Sequence, residues 1–251
     1  MTPRQLAQCA RAEFRKAANP QIAARQRTYF KKWEKVLFYG VMTPDLRNIE
    51  HTLYRHVRKD WSYADGIAFC ELLIRDRYME SKSLGLTLLA RYHRRFEEDL
   101  LRPVHIWLER GLCDNWAVTD QLSTQIVSGL IDKFPPLAAT VESWSRSPNL
   151  WVRRASAVSF VKPAGKGRHL DRAYRVVMVL QRDPHDLIHK ATGWLLREAG
   201  KADAGRLERY LLRYGAVIPR TAIRYAIERF PERQRRRILQ ITRAKSKSHP
   251  R

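Results

Sequence analysis

Glycine and proline are scarce in this sequence: 11 and 12 residues of 251 fall below the roughly 12% of average usage, which argues against a loop-rich, turn-rich or low-complexity chain. Cysteine is scarcer still. Cys9, Cys70 and Cys113 form an odd, widely spaced set with no CxxC pair, so neither a disulfide framework nor a zinc ribbon is supported, and buried reduced thiols are expected. No eighteen apolar residues run together, and the first twenty residues hold no apolar stretch of signal-peptide length. A soluble, intracellular protein, cytoplasmic in placement, is therefore expected, with no membrane partner. The sequence also lacks a phosphate-cradling Gly-rich loop, an HExxH pair, a His-Cys-Cys metal spacing and a nucleophile elbow. A nucleotide-driven motor or a metal hydrolase is thereby disfavoured, and neither a metal site nor a cofactor is expected. Acidic residues are few as well: 25 Asp plus Glu stand against 48 Lys plus Arg, a net charge of +23, with a sequence pI near 10.5. So basic a chain points to a polyanionic partner, nucleic acid ahead of an anionic membrane surface.

What the sequence has throughout is apolar residues at helical spacing, as in Leu46, Ile49, Leu53 and Val57, while no convincing run alternates with period two. Thr43-Pro44-Asp45 supplies a capping hydroxyl and a first-turn proline for that helix. Breakers at Asp60, Pro103, Gly111, Pro135-Pro136, Ser147-Pro148-Asn149, Asp183-Pro184, Gly200 and Pro219 leave room for roughly eleven to fourteen helices. Residues Pro148 to Val158 align with Pro184 to Trp194 at an offset of 36, matching the helical start, the cation and the small residues. A step of 72 in the other direction brings Lys82, Ser83 and Gly85 into register with Arg154, Ala155 and Ala157; the intermediate unit around Val118 to Gln121 matches poorly. Helix pairs repeating every 35 to 45 residues or about that, with a cation near the start of the second helix, are what stacked HEAT-like repeats need. The expected fold is all-α, a right-handed solenoid of HEAT-like repeats with a concave basic face. One domain is expected over residues 1–232. Residues 233–251 read as a basic tail, since Lys201 to Arg251 holds fifteen cations against Asp203, Glu208, Glu228 and Glu232. The tail begins helix-compatible, and its Lys-Ser-Lys-Ser-His-Pro-Arg end is expected to be disordered.

Several residues invite a chemical reading. Trp116 and Asp120 are four apart and share one helix face, while Val118, Leu122, Ile126 and Leu130 on the same helix serve as the core stripe. A surface aspartate beside a partly buried tryptophan is the plain alternative to a functional pair. Trp151, Ala155 and Val158 form the next buried stripe, leaving Arg153 and Arg154 to bond a neighbouring helix, to hold a phosphate or to orient a carboxylate. Trp194 falls in the repeat register of Val158, which favours packing, although Gly193 beside it would admit a close approach. Tyr29-Phe30-Lys31-Lys32-Trp33 and Arg91-Tyr92-His93-Arg94-Arg95-Phe96 interleave aromatics with cations, a pattern suited to stacking and phosphate contact and equally to solvated helix faces.

Taken in order, Asn115-Trp116-x-x-x-Asp120, Leu150-Trp151-x-Arg153-Arg154-Ala155, His185-Asp186-Leu187-Ile188-His189-Lys190-Ala191-x-Gly193-Trp194-x-Leu196-Arg197-Glu198 and Pro219-Arg220-Thr221-Ala222-x-Arg224-Tyr225-Ala226-Ile227-Glu228 resemble the motifs of the AlkD-like DNA alkylation repair glycosylases. Phe38-Tyr39-Gly40-Val41-x-x-Pro44-x-x-Arg47 is similar to that family's N-terminal element, so the likeness runs from about Tyr29 to Phe230. The resemblance implies a HEAT-like solenoid that wraps duplex DNA and hydrolyses the N-glycosidic bond of positively charged alkylpurines, such as 3-methyladenine and 7-methylguanine, in base excision repair. It implies Asp120 as the essential carboxylate, Trp116 and Trp194 as indoles flanking the damaged nucleotide, and Arg154 on the neighbouring phosphate. Tyr29, Arg47, Arg153 and Lys190 are further candidate nucleic-acid contacts. A monomer without nucleotide cofactor is expected. The alternatives are a non-catalytic DNA-structure or damage-binding protein of the same fold, which the charge alone would explain, and a HEAT-type protein scaffold.

Overall fold

The computed structural model describes residues 1–247, with side chains described through residue 243. Several of its helices start where the sequence supplies an acceptor for the free first-turn N–H groups. Thr2 caps α1 (Pro3–Lys16), with Gln5 returning the bond; Asn19 caps α2 (Pro20–Arg27), and Ser62 with Asp65 caps α4 (Tyr63–Ile74). Between them α3 (Thr43–Val57) begins one residue ahead of expectation: Thr43 lies inside the first turn and Met42 takes the cap position with no side-chain cap bond, so the Thr43 hydroxyl does not cap. Then come α5 (Met79–Ala90), α6 (Leu101–Glu109) and α7 (Trp116–Leu122). These helices belong to a first compact unit, Met1–Ile126; a second starts at Val127. Among the described residues there is no strand, only an isolated bridge between Leu37 and Tyr78, and no helix is long and apolar enough to cross a membrane.

In the first unit α4 lies along α5, close enough that a Cβ on Gly85 would sit 3.1 Å from Leu73 Cβ and 3.3 Å from Cys70 Cα. α1 packs on α4, and Leu6, Phe14, Phe69, Leu73, Leu84 and Leu88 are fully buried. Cys70 and Cys113 are buried as expected, and burial pushes both thiols up, that of Cys113 to about 12. Cys9 is exposed, against expectation, because it lies on α1 next to Leu6, Ala7 and Ala10, which already form the inward stripe.

The second unit contains α8 (Ser128–Lys133), α9 (Leu137–Ser143), α10 (Leu150–Ser159), α11 (Val161–Gly165), α12 (Leu170–Leu180), α13 (Asp186–Ala202), α14 (Ala204–Tyr214), α15 (Arg220–Ala226) and α16 (Glu232–Lys247). That makes sixteen α-helices among the described residues, more than the expected range, since breaks such as the one between α10 and α11 occur where no Gly or Pro marks them. α13 is the hub, packing against α10, α11, α12, α14 and α15. The repeat read from the sequence is realised in the caps. Asn149 accepts from the first turn of α10 and His185 from that of α13, and the two helices start 36 residues apart, at 150 and 186. Of the residues expected to form a tail, 233–247 lie in α16, with Ile238 and Thr242 buried, so residues 245–247 of the expected disordered end are helical; residues 248–251, the rest of that end, lie outside the described residues.

Candidate functional site

In the first unit the candidate residues are placed by α7. Asn115, itself buried, accepts from the N–H groups of Ala117 (3.1 Å) and Val118 (3.0 Å) and so fixes the helix start one residue before Trp116. Val118, Thr119 and Leu122 then turn fully inward, while Trp116 and Asp120 stay half-buried on the remaining face. The expected stripe of Val118, Leu122, Ile126 and Leu130 is buried at every position. Three successive steps of four overshoot straight α-helical turns by about 1.2 residues, and the π turn over Ser123–Val127 takes up roughly one of them. The main-chain carbonyl of Asp120 accepts from the Thr124 hydroxyl at 2.8 Å.

Trp116 has a rigid support that sequence reasoning missed. Phe30 stacks on its indole, centroids 5.1 Å apart and 21° between planes, and Phe38 backs Phe30 at 5.5 Å. The Glu34 carboxylate is buried; it accepts from the Trp116 N–H at 3.4 Å and the Lys31 N–H at 2.9 Å. The Arg27 guanidinium donates to the carbonyls of Phe30, Lys31 and Lys32, and Glu80, also buried, accepts from the N–H groups of Tyr39, Gly40 and Val41. Gly40 is required here: its φ is +84° and a Cβ would meet Asn19 O at 2.0 Å. Irregular chain that would otherwise be soft is thus pinned at both ends. It holds Tyr29 and Trp33 out at 66% and 51% exposure. Nothing in the sequence signalled the Phe30–Trp116 and Glu34–Trp116 contacts, because the partners lie more than eighty residues apart (82 for Glu34). Arg47 is exposed on α3. Of the other cation-rich aromatic run, Tyr92 and Phe96 are buried, and Arg91 is spent on a two-point pair with Glu50 at 3.0 and 2.8 Å.

In the second unit α10 presents both arginines, and they differ. Arg153 donates to Asp183 Oδ2 at 2.7 Å and to the carbonyls of Ser147 and Pro148, which ties the turn before α10 to the turn before α13. Arg154 is only 5% exposed and donates to the Leu187 carbonyl in the first turn of α13. The first unit has a counterpart at the matching repeat position: Lys82, 7% exposed, donates to the Leu112 carbonyl and pairs with Asp114 at 2.9 Å. In both cases the repeat's cation reaches forward to a main-chain carbonyl of the next helical pair. Trp194 departs from its register partner, since Val158 is fully buried whereas Trp194 is half-exposed. Lys190, one turn earlier on α13, is half-exposed on the same face. The close approach expected at Gly193 is made by α15: a Cβ there would meet Tyr225 Cβ at 2.6 Å and Ala222 O at 2.7 Å. Gly193 therefore serves helix packing.

Comparison with known proteins agrees with the helical architecture. A family model described as DNA alkylation repair enzyme matches residues 10–230. Among solved structures, a predicted DNA alkylation repair enzyme from Enterococcus faecalis is similar over 86% of this chain and 97% of that chain, with a TM-score of 0.74 at 18% sequence identity. No curated protein sequence matches.

Proposed function

This chain belongs to the DNA alkylation repair enzyme family, and from that premise we propose that it is a monofunctional DNA glycosylase. It releases N3- and N7-alkylated purines from duplex DNA and acts as a monomer without a nucleotide cofactor. The observation that carries the reading is the half-buried pair Trp116 and Asp120 on one face of α7, lifted over a fully buried stripe and buttressed by Phe30 and Glu34.

An N3- or N7-alkylpurine already bears positive charge, so it departs without an acid to protonate it. The bond breaks with oxocarbenium character in the sugar, and what remains for the protein is to stabilise a cation. The Asp120 carboxylate supplies the opposite charge and positions the attacking water; Trp116 and Trp194 offer π faces to electron-poor C–H groups and exclude bulk water. Phe30 limits the indole of Trp116 to one orientation, which lowers the cost of ordering it when substrate arrives. Arg154 takes the phosphate role that the resemblance implies, from a buried position in which its guanidinium is already oriented by Leu187. Arg153, committed to Asp183 and two carbonyls, acts as scaffold. Tyr29, Arg47 and Lys190 contribute exposed or half-exposed contacts to the DNA.

The test is a time course of bases released from methylated duplex by stoichiometric protein, resolved by chromatography. Free 7-methylguanine or 3-methyladenine well above the spontaneous rate is expected. Tight, salt-sensitive duplex binding with no release would replace the glycosylase by a non-catalytic damage-binding protein, a reading that the net charge of +23 favours.

A further inference from the structure

The family match stops at residue 230, and α16 follows it, from Glu232 to Lys247. This helix is a docked element. Ile238 and Thr242 are buried, and Gly215 lets α16 come close, since a Cβ on it would strike Thr242 Cγ2 at 2.3 Å. Arg220, at the start of α15, donates to the Thr242 hydroxyl at 2.7 Å and the Leu239 carbonyl at 3.2 Å, and Gln234 donates to Glu208 of α14 at 2.9 Å.

Docking fixes which face looks outward. Among residues 232–243 the exposed positions are Glu232, Arg233, Arg236, Arg237, Gln240 and Arg243, spaced by threes and fours along one side. We propose that this face of α16 is a backbone-binding surface for duplex DNA, with Arg233, Arg236, Arg237 and Arg243 taking successive phosphates. The inference rests on the DNA-directed reading of the preceding subsection. From Arg233 to Arg243 the helix rises about 15 Å, against one phosphate per ~3.4 Å of axis on each DNA strand, so four side chains can each meet a separate phosphate. Arg233 and Arg243 have no carboxylate partner among the described residues. Arg236 pairs with Glu232 at 2.8 Å and Arg237 with Glu208 at 3.5 Å. Exposed pairs of this kind contribute about 0–1 kcal/mol, so a phosphate displaces them readily. Arg243 also bears on Arg220 of α15: burial first, and then the positive charges of Arg224 and Arg243, hold the Arg220 guanidinium below its ordinary range. An anion arriving there relieves repulsion. An anionic membrane fits less well, because a surface-lying helix needs an apolar face to insert, and among residues 232–243 the exposed face of α16 has no apolar residue while Ile238 is used in docking.

The experiment measures affinity for an unmodified duplex, by fluorescence anisotropy of the full chain across 50 to 200 mM salt (approximate working range of). The variant carries Arg233→Gln, Arg236→Gln, Arg237→Gln and Arg243→Gln together; glutamine keeps helix propensity, and circular dichroism checks that α16 persists. Each lost phosphate contact lowers the salt slope by about 0.9. Two to four contacts predict that the wild type loses roughly 10- to 150-fold more affinity than the variant across that range. A control chain with Arg4→Gln, Lys16→Gln, Arg58→Gln and Lys59→Gln removes the same charge from exposed positions of the first unit. The proposal predicts a slope change in the control less than half as large. An unchanged slope in the α16 variant, or equal changes in both chains, would overturn it. So would loss of binding to vesicles of phosphatidylcholine and phosphatidylserine with the DNA slope intact. Because the duplex is undamaged, absence of glycosylase activity would leave this measurement readable.

Discussion

Replacing Asp120 by asparagine isolates one charge. The side chain keeps its size, and the bonds that close the helix there run from Ser123 and Thr124 to the main-chain carbonyl of Asp120, which the substitution leaves in place. The change that bears on the reaction is the interaction of a carboxylate with a sugar that is becoming cationic. At a separation of ~4 Å that interaction is about 1 kcal/mol in bulk water and about 4 kcal/mol at the effective dielectric of a partly desolvated protein site. The half-buried position of Asp120 selects the second regime. An asparagine dipole recovers part of it, so a net loss of roughly 3–4 kcal/mol, or 100- to 1000-fold in rate, is expected. The assay is single-turnover release of 7-methylguanine from methylated duplex with protein in excess, with duplex affinity measured in parallel. Affinity should hold or rise slightly, because a negative charge facing a polyanion has been removed. A rate loss of only ~5-fold would place the carboxylate in bulk-water screening and refute the electrostatic role.

Phe30→Ala removes the ring stacked on Trp116; base release should fall about tenfold while duplex affinity changes little, and Phe30→Tyr should restore most of it, since an aromatic pair of this kind contributes about 0.5–1.5 kcal/mol of positioning. Equal losses in both variants would mean that the stack is irrelevant. Gly193→Ala forces a methyl to within 2.6 Å of Tyr225 Cβ and 2.7 Å of the Ala222 carbonyl, so α13 and α15 must part; a loss of roughly 1–3 kcal/mol is expected in denaturant unfolding, and an unchanged midpoint would contradict the close packing. Glu142 is held below the usual glutamate range, first by the hydrogen bond from Arg175 and also by Arg172. A carboxylate depressed in the folded state stabilises above its unfolded pKa of about 4.3 and loses that contribution as pH falls through the lower folded value. Glu142→Gln should therefore be less stable than wild type near neutral pH, with the gap closing below about pH 4; a gap that persists there would assign the effect to packing.

Much of the helical order was legible because caps and periodicity are local. Asn115, Asn149 and Ser62 start their helices where side-chain acceptors are close in sequence, and the 36-residue offset reappears as two capped helix starts. Where local signals are weak, the expectation slipped. Met42 took the cap position beside Thr43, and Cys9 faced outward because Leu6, Ala7, Ala10 and Phe14 already supply the inner stripe of α1. The register that matched Trp194 to Val158 carried the helix start correctly and the burial incorrectly. A repeat specifies backbone position, whereas exposure depends on which helix covers that position in each copy.

The sequence by itself determined the all-helical class, the pairing of Trp116 with Asp120 on one face and the excess of positive charge, since each follows from residue type and spacing along the chain. Only the tertiary structure decided that Phe30 and Glu34 brace Trp116, that Gly193 makes room for α15, that Arg153 is consumed as a clamp, and that the basic segment after residue 231 docks as a helix with one arginine face outward. Those outcomes depend on contacts between segments distant in sequence. The energy of such a contact resides in packing and hydrogen bonding across space, and no spacing along the chain encodes it.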